Sequence, residues 1–265
     1  MIATLKDASP AEISRLPHIG MPSIGLGTYP LKGKKCFDTV KTALEVGYRH
    51  IDTAEMYGNE SAIGDAIAAS GVPRDEIFIT SKVWPHNFQA PYFVASVDKS
   101  LRALNIECLD LVLLHWPRDE VPLEEPLSAL QKVIKMGKVR YGGVSNFSAS
   151  QMQNAIDIAG SAIACNQIKC HLGMAPSAVL ALARRYDIAV TAYSPLGQGS
   201  VHADSRLNDI AEKYGCTSSQ VALRWMTQQG LAVIPKASSR ARLEENLAAN
   251  TLQLQKDDLQ LLGVL

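Results

Sequence analysis

GYRHIDTAEMYGNESAIGDAIAAS, residues 47–70, reads as a strand, a polar loop and a helix in succession. YRHID favours a strand and ends on Asp52, and the loop that follows carries Tyr57. ESAIGDAIAAS places Ala62, Ile63, Ala66 and Ile67 at the spacing of one helix face, then stops at Gly71 with Pro73 beyond. A strand that stops on an acid, with a phenol on the same loop, asks what the two groups are for.

The same unit recurs outward from this stretch. Short runs rich in apolar and β-branched residues lie at SIGLGT (23–28), YRHID (48–52), IFITSK (77–82), LDLVLLH (109–115), VRYGGVS (139–145), IACNQIK (163–169), IAVTAYS (188–194) and AVIPK (232–236). They are too short and too uniformly apolar for helices, which suits strands covered on both faces. Helical patterns separate them. Ser148 with Gln151 and Thr217 with Gln220 fit capping boxes, and KVIKMGK ends a helix at Gly137 just before the next strand. Strand–helix alternation repeated eight times predicts a (β/α)8 TIM barrel, an α/β fold, over a single domain spanning 1–265. The competing doubly wound sheet needs fewer strands and a glycine-rich turn after the first; no G-x-G-x-x-G occurs. Residues 1–22 are expected as an N-terminal extension, with a hairpin that could close the barrel bottom.

The bulk numbers exclude several classes. Lys+Arg and Asp+Glu are 26 each, which gives no hint of a nucleic-acid partner or an acidic membrane surface. No run approaches the roughly 20 apolar residues of a membrane span, and the N-terminus has no apolar signal core. The five cysteines form no C-x-x-C pair, as expected of reduced thiols in a cytoplasmic protein. Monomer is the default expectation.

Strand ends carry the chemistry of such barrels. In order they offer Thr28 and Tyr29, Asp52, Lys82, His115, Ser145 and Asn146, Gln167, Tyr193 and Ser194, and Lys236. Each alone has a plain explanation: Asp52 a turn cap, Lys82 and Lys236 solvated strand ends, His115 a satisfied core histidine, Tyr57 an ordinary loop tyrosine. A barrel brings all of them around one mouth. There, a lysine ammonium lowers the pKa of a neighbouring phenol, a carboxylate holds the lysine, and a neutral histidine can bond a carbonyl oxygen. The set suits protonation of an oxyanion formed as something attacks a carbonyl carbon. A metal-dependent barrel hydrolase would need three or more ligands at strand ends, where this chain offers one histidine and one acid; no metal is expected.

GYRHIDTAEMYGNE, ITSKVW, LDLVLLHWP, GVSNF, NQI, AYSPLGQG and IPKASSRARLEEN follow in order the motifs of the aldo-keto reductase superfamily, which the chain resembles from about Gly25 to Asn250. The resemblance implies reduction of aldehydes and ketones with NADPH. It implies Tyr57 as proton donor, Asp52 and Lys82 as its tuning pair, and His115 as the residue that orients substrate. It assigns Ser145, Asn146 and Gln167 to the nicotinamide carboxamide and Tyr193 to stacking on the ring. Lys236 and Arg242 fall where the family holds the 2′-phosphate, and Glu245 and Asn246 where it faces adenine. Thr28, Asp52, Ser194, Leu196, Gln198, Gly199 and Ser238 complete the expected cofactor contacts. The position after Lys236, usually serine, is Ala237, with Ser238 or Ser239 left to compensate. Tyr29, Trp84 and Trp116 fall with His115 on the substrate site, an aromatic mouth suited to small carbonyl compounds.

In length and motif wording the chain is similar to the bacterial 2,5-diketo-D-gluconate reductase branch, which implies keto-sugar acids and α-dicarbonyls such as methylglyoxal as substrates. NQIKCHLG departs there from the commoner NQ-x-x-Y-H-P. A non-catalytic, NADP-binding redox sensor of the same fold is the alternative reading.

Overall fold

The computed structural model describes residues 15–16 and 18–265. The rest of the expected N-terminal extension, 1–14 and 17, lies outside the described residues. Strands β1 (Arg15–Leu16) and β2 (Met21–Pro22) pair antiparallel. The eight that follow form one parallel sheet in chain order. They are β3 (Leu26–Gly27), β4 (His50–Asp52), β5 (Phe78–Val83), β6 (Leu109–Leu114), β7 (Val139–Ser145), β8 (Cys165–Lys169), β9 (Ala189–Tyr193) and β10 (Ala232–Val233).

The sheet closes on itself. Ile24 bridges Val233 in parallel, Gly25 N–H donates to Val233 O at 2.8 Å, and Val233 N–H donates to Ser23 O at 2.8 Å. The (β/α)8 barrel read from the sequence is the observed fold. Helices α1 (Gly33–Val46), α2 (Glu60–Ser70), α3 (Ala90–Leu104), α4 (Glu124–Lys135), α5 (Ala149–Ala159) and α6 (Ser177–Arg185) follow the first six barrel strands. Two helices, α7 (Ser205–Tyr214) and α8 (Ser218–Thr227), follow β9, and α9 (Arg240–Ala248) and α10 (Lys256–Leu262) follow β10. The capping boxes at Ser148 and Thr217 both form, opening α5 and α8. With helices outside and packed side chains inside, every residue of β5 and β6 is buried, the polar Thr80, Ser81, Lys82 and Asp110 included.

The interior is filled in layers. Leu16, Ile19 and Met21 of the β1–β2 pair form one cluster with Phe78, Leu111, Leu113, Cys165, Ala189 and Ala232. Four of these open their strands, so the apolar layer sits at the N-terminal end of the barrel. Just above it lies His50, fully buried. Its Nδ1 is 3.3 Å from Pro22 O and its Nε2 is 3.2 Å from Thr80 Oγ1. A carbonyl only accepts, so Nδ1 carries the proton and Nε2 accepts from the threonine. Burial holds this imidazole down to about 4, against the opposing pull of Asp52. A Cβ at position 25 would come within 2.5 Å of His50 Nδ1, so the ring occupies the space that Gly25 leaves. Above this level the inward side chains become polar, and the site begins.

Candidate active site

Where the strands end, a cavity of about 430 Å³ opens, lined by Thr28, Tyr29, Asp52, Tyr57, Trp84, His115, Trp116, Ser145, Asn146, Gln167, Tyr193, Ser194, Gln198 and Lys236 among others. The barrel thus brings three of the four residues expected to be catalytic, Asp52, Tyr57 and His115, to the cavity, with Lys82 paired to Asp52 behind it.

Lys82, 1% exposed, donates from Nζ to Asp52 Oδ1 at 2.5 Å and to Thr53 O at 2.8 Å. Asp52 receives a second donor on its other oxygen, Gln167 Nε2 at 2.6 Å from across the barrel. Thr28 Oγ1 donates to the Asp52 carbonyl at 2.9 Å. A buried ion pair is tolerated when further hydrogen bonds offset its desolvation, and here the Thr53 carbonyl and the Gln167 amide supply them. Burial works against the Lys82 ammonium, yet Asp52 and Tyr57 outweigh it and hold its pKa above the ordinary lysine value.

Lys82 Nζ lies 5.1 Å from the centre of the Tyr57 ring. The sequence reading has this ammonium lowering the phenol's pKa, and one part of that needs correction. Burial raises the Tyr57 pKa, Lys82 lowers it and Asp52 raises it again, so that the net direction is upward. The lysine limits the rise without reversing it, because the phenol is largely withdrawn from water.

His115 is buried, and burial together with Lys82 holds it down to about 3, so its imidazole is neutral. Its Nδ1 is buried without a hydrogen-bond partner among the described residues. The Tyr57 and Trp84 rings flank it edge-on, at 5.7 Å and 5.1 Å between centres. Tyr29 packs against Tyr57 at 5.1 Å. Tyr29 and Trp116 are exposed at the rim, as is Met56, which the sequence reading missed. Its position next to Tyr57 on a short turn, Glu55–Tyr57, was the available signal. Glu55 and Asn59 were missed too. Glu55 Oε1 accepts from Trp84 N–H at 2.5 Å and Asn87 Nδ2 at 3.0 Å. Asn59 accepts from Thr53 Oγ1 at 2.7 Å and donates to Leu31 O at 3.0 Å. Together they tie the Tyr57 turn to both neighbouring loops.

The opposite wall is built from amides and hydroxyls. Asn146, at φ +64°, donates to His115 O at 3.0 Å and to Ser145 Oγ at 3.1 Å, and accepts from Tyr193 OH at 2.8 Å. Gln167 Oε1 makes no hydrogen bond among the described residues, because a carboxylate can only accept and so turns the amide's N–H toward Asp52. Lys236 lines the cavity, and among the described residues neither it nor Arg242 makes an ion pair.

The other expected cofactor residues do not line the cavity. Leu196 and Gly199 stand on the irregular turns around Gly197–Ala203. Ser238 borders a separate surface depression with Lys34 and Arg240. Arg242, Glu245 and Asn246 belong to α9, where Glu245 Oε1 accepts from Thr217 Oγ1 at 2.7 Å and Asn246 is buried. A wall of amides, an aromatic ring and a lysine with no ion pair among the described residues suit a ligand with a planar polar head and an anionic group.

Among the described residues, no cluster of three or more His, Cys, Asp or Glu could hold a metal ion, and no helix is long and apolar enough to cross a membrane.

Comparison with known proteins gives a consistent picture. The profile described as "Aldo/keto reductase family" matches residues 19–263. The methylglyoxal reductase DkgB of Escherichia coli O157:H7 is 42% identical over 250 residues, covering 93% of this chain and 94% of that one. The glyoxal reductase of Bacillus subtilis (strain 168) is 36% identical, covering 93% and 90%. A solved structure provisionally assigned as a 2,5-diketo-D-gluconic acid reductase B superposes with a TM-score of 0.90 at 41% identity, over 92% of this chain and 88% of that one.

Proposed function

The chain belongs to the aldo/keto reductase family, whose members act on carbonyl compounds, and we propose that it reduces small aldehydes and α-dicarbonyls with NADPH, Tyr57 giving the proton. One observation carries the reading. The buried Asp52–Lys82 pair abuts Tyr57, and a neutral His115 faces the same cavity.

A bound nicotinamide dinucleotide would supply the hydride, which no side chain can. This chain's own residues do the rest. The His115 imidazole, uncharged because its pKa is held to about 3, offers an N–H to the substrate oxygen and orients it. Tyr57, held above its ordinary value, stays protonated at neutral pH and releases its proton from Oη as negative charge grows on that oxygen. The phenolate left behind is stabilised by the Lys82 ammonium, which Asp52 and the Thr53 carbonyl fix in place. Ser145, Asn146 and Gln167 read the carboxamide, and Tyr193 supports the ring.

Lys236 and Arg242 take the 2′-phosphate, which favours NADPH over NADH even with Ala237 in the usual serine position. Tyr29, Met56, Trp84 and Trp116 wall a mouth suited to small substrates, among them methylglyoxal and keto-sugar acids such as 2,5-diketo-D-gluconate. The relatives named for methylglyoxal and glyoxal reduction support that choice.

The test is loss of NADPH absorbance with methylglyoxal and with 2,5-diketo-D-gluconate, comparing native protein with Tyr57→Phe. Turnover by the native protein is expected, with kcat falling about 10²–10⁴-fold in the variant and NADP⁺ binding kept. A native protein that binds NADPH yet reduces neither compound, nor a wider aldehyde panel, would instead be a redox sensor.

A further inference from the structure

Trp84 forms the wall of the cavity nearest His115, their rings meeting at 89°. Its backbone N–H is anchored on Glu55. Its indole Nε1–H is held separately, by His86 Nδ1 at 3.0 Å. His86 lies outside the cavity, on the turn Pro85–Asn87, and is exposed to solvent. Nothing in the proposed mechanism uses it.

We propose that His86 is a positioning residue for substrate binding: by accepting the indole N–H it fixes the Trp84 wall beside His115, and it lets that wall go as the pH falls. An indole N–H can only donate, so Nδ1 must be the lone-pair nitrogen and the His86 ring neutral in this contact. Protonation puts a hydrogen on Nδ1 and turns the contact into two donors 3.0 Å apart.

The charged groups around the turn are Glu55 on the side of the Tyr57 loop, and Arg118 and Glu120 on the segment after β6. Arg118 donates to Pro85 O at 2.9 Å and pairs with Glu120 at 3.2 Å. The Glu120 carboxylate is also within electrostatic reach of His86. The Trp84 backbone stays on Glu55, so only the ring is released. Asp52, Tyr57 and Lys82 make no contact with His86, and the chemical step is left intact. The expected signature is a change in KM without one in kcat.

The proposal rests on the reading of this cavity as the carbonyl site, so one of its two measurements needs no turnover. The first is the fluorescence of Trp84 in the cofactor-free protein, taken as the difference from Trp84→Phe between pH 5.5 and 8. A sigmoidal change is expected in the native background and none in His86→Gln, whose carboxamide oxygen accepts the indole N–H at every pH. The second is KM for methylglyoxal at pH 6 and pH 8. A rise of about fivefold toward pH 6, the worth of one hydrogen bond, is expected for the native enzyme. It should vanish in His86→Gln, while His86→Leu shows the raised KM at both values. Native and His86→Leu enzymes with the same KM at both pH values would overturn the proposal, as would a pH-independent Trp84 difference signal. Absence of any carbonyl turnover would instead refute the function, with the fluorescence still deciding the contact.

Discussion

Replacing His50 by asparagine should flatten the acid side of the protein's stability curve. The native imidazole is neutral, donates to Pro22 O and accepts from Thr80, and burial holds it at about 4 against 6.5 for the free side chain. The unfolded chain therefore takes up a proton at this residue before the folded one does. Stability from this source is complete above the unfolded value and is lost as pH falls toward the folded one. The gap of about 2.5 units corresponds to about 3.4 kcal/mol at ~1.36 kcal/mol per unit. Asparagine keeps an N–H for Pro22 O and does not titrate. Urea unfolding followed by circular dichroism at pH 7, 6 and 5 reads the effect. Between pH 6 and 5 the native protein should lose about 1.2 kcal/mol more than the variant, even though the variant starts lower at pH 7. His115, held to about 3, adds a loss of the same sign to both proteins and cancels in the comparison. Parallel stability lines would refute the reasoning, for they would mean that His50 takes up its proton without unfolding.

Lys82→Met leaves the Asp52 carboxylate buried without its cation, and urea unfolding should show a loss of about 3–5 kcal/mol. Adding Asp52→Asn should recover much of that stability but none of the NADPH oxidation. Gly64→Ala tests the packing of α2 on α3. A Cβ there would lie 2.5 Å from Leu104 O, so a change that ordinarily stabilises a helix should cost about 1–3 kcal/mol in the same assay. A neutral or stabilising result would mean that α2 and α3 can part without penalty.

The barrel was legible because its strands are covered on both sides. LDLVLLH and IFITSK are short, β-favouring runs that suit strands, and each became one. The outermost runs were harder to bound. SIGLGT and AVIPK shrink to two-residue strands: each pairs with one neighbour, β4 or β9, over two residues, and they meet each other at the seam through one bridge and a few hydrogen bonds. Of the two helices after β9, the second was announced by its Thr217 capping box, whereas the first left no clear signal, since the irregular turns around Gly197–Ala203 interrupt the pattern before it. At the site, polar residues at the ends of apolar strands announced themselves. Glu55, Met56 and Asn59 did not, because a loop has no periodicity to say which side chains turn inward. The direction of the Tyr57 shift was also out of reach: a sequence names the charges near a phenol but not how much water it has lost. His50, inside YRHID, read as an ordinary strand residue because its neutrality comes from Pro22, Thr80 and the space left by Gly25.

The seam has a consequence for how the molecule is made. Ile24 and Gly25 find their partner in Val233, more than two hundred residues downstream. A chain still on the ribosome can pair β3 through β9 in order, but it carries two unpaired strand edges until residues 232–236 emerge. The same late segment brings Ile234 and Lys236, which line the cavity. Closure of the barrel and completion of the site are thus one event, and a nascent chain that stalls before it exposes both the edges and the unfinished pocket.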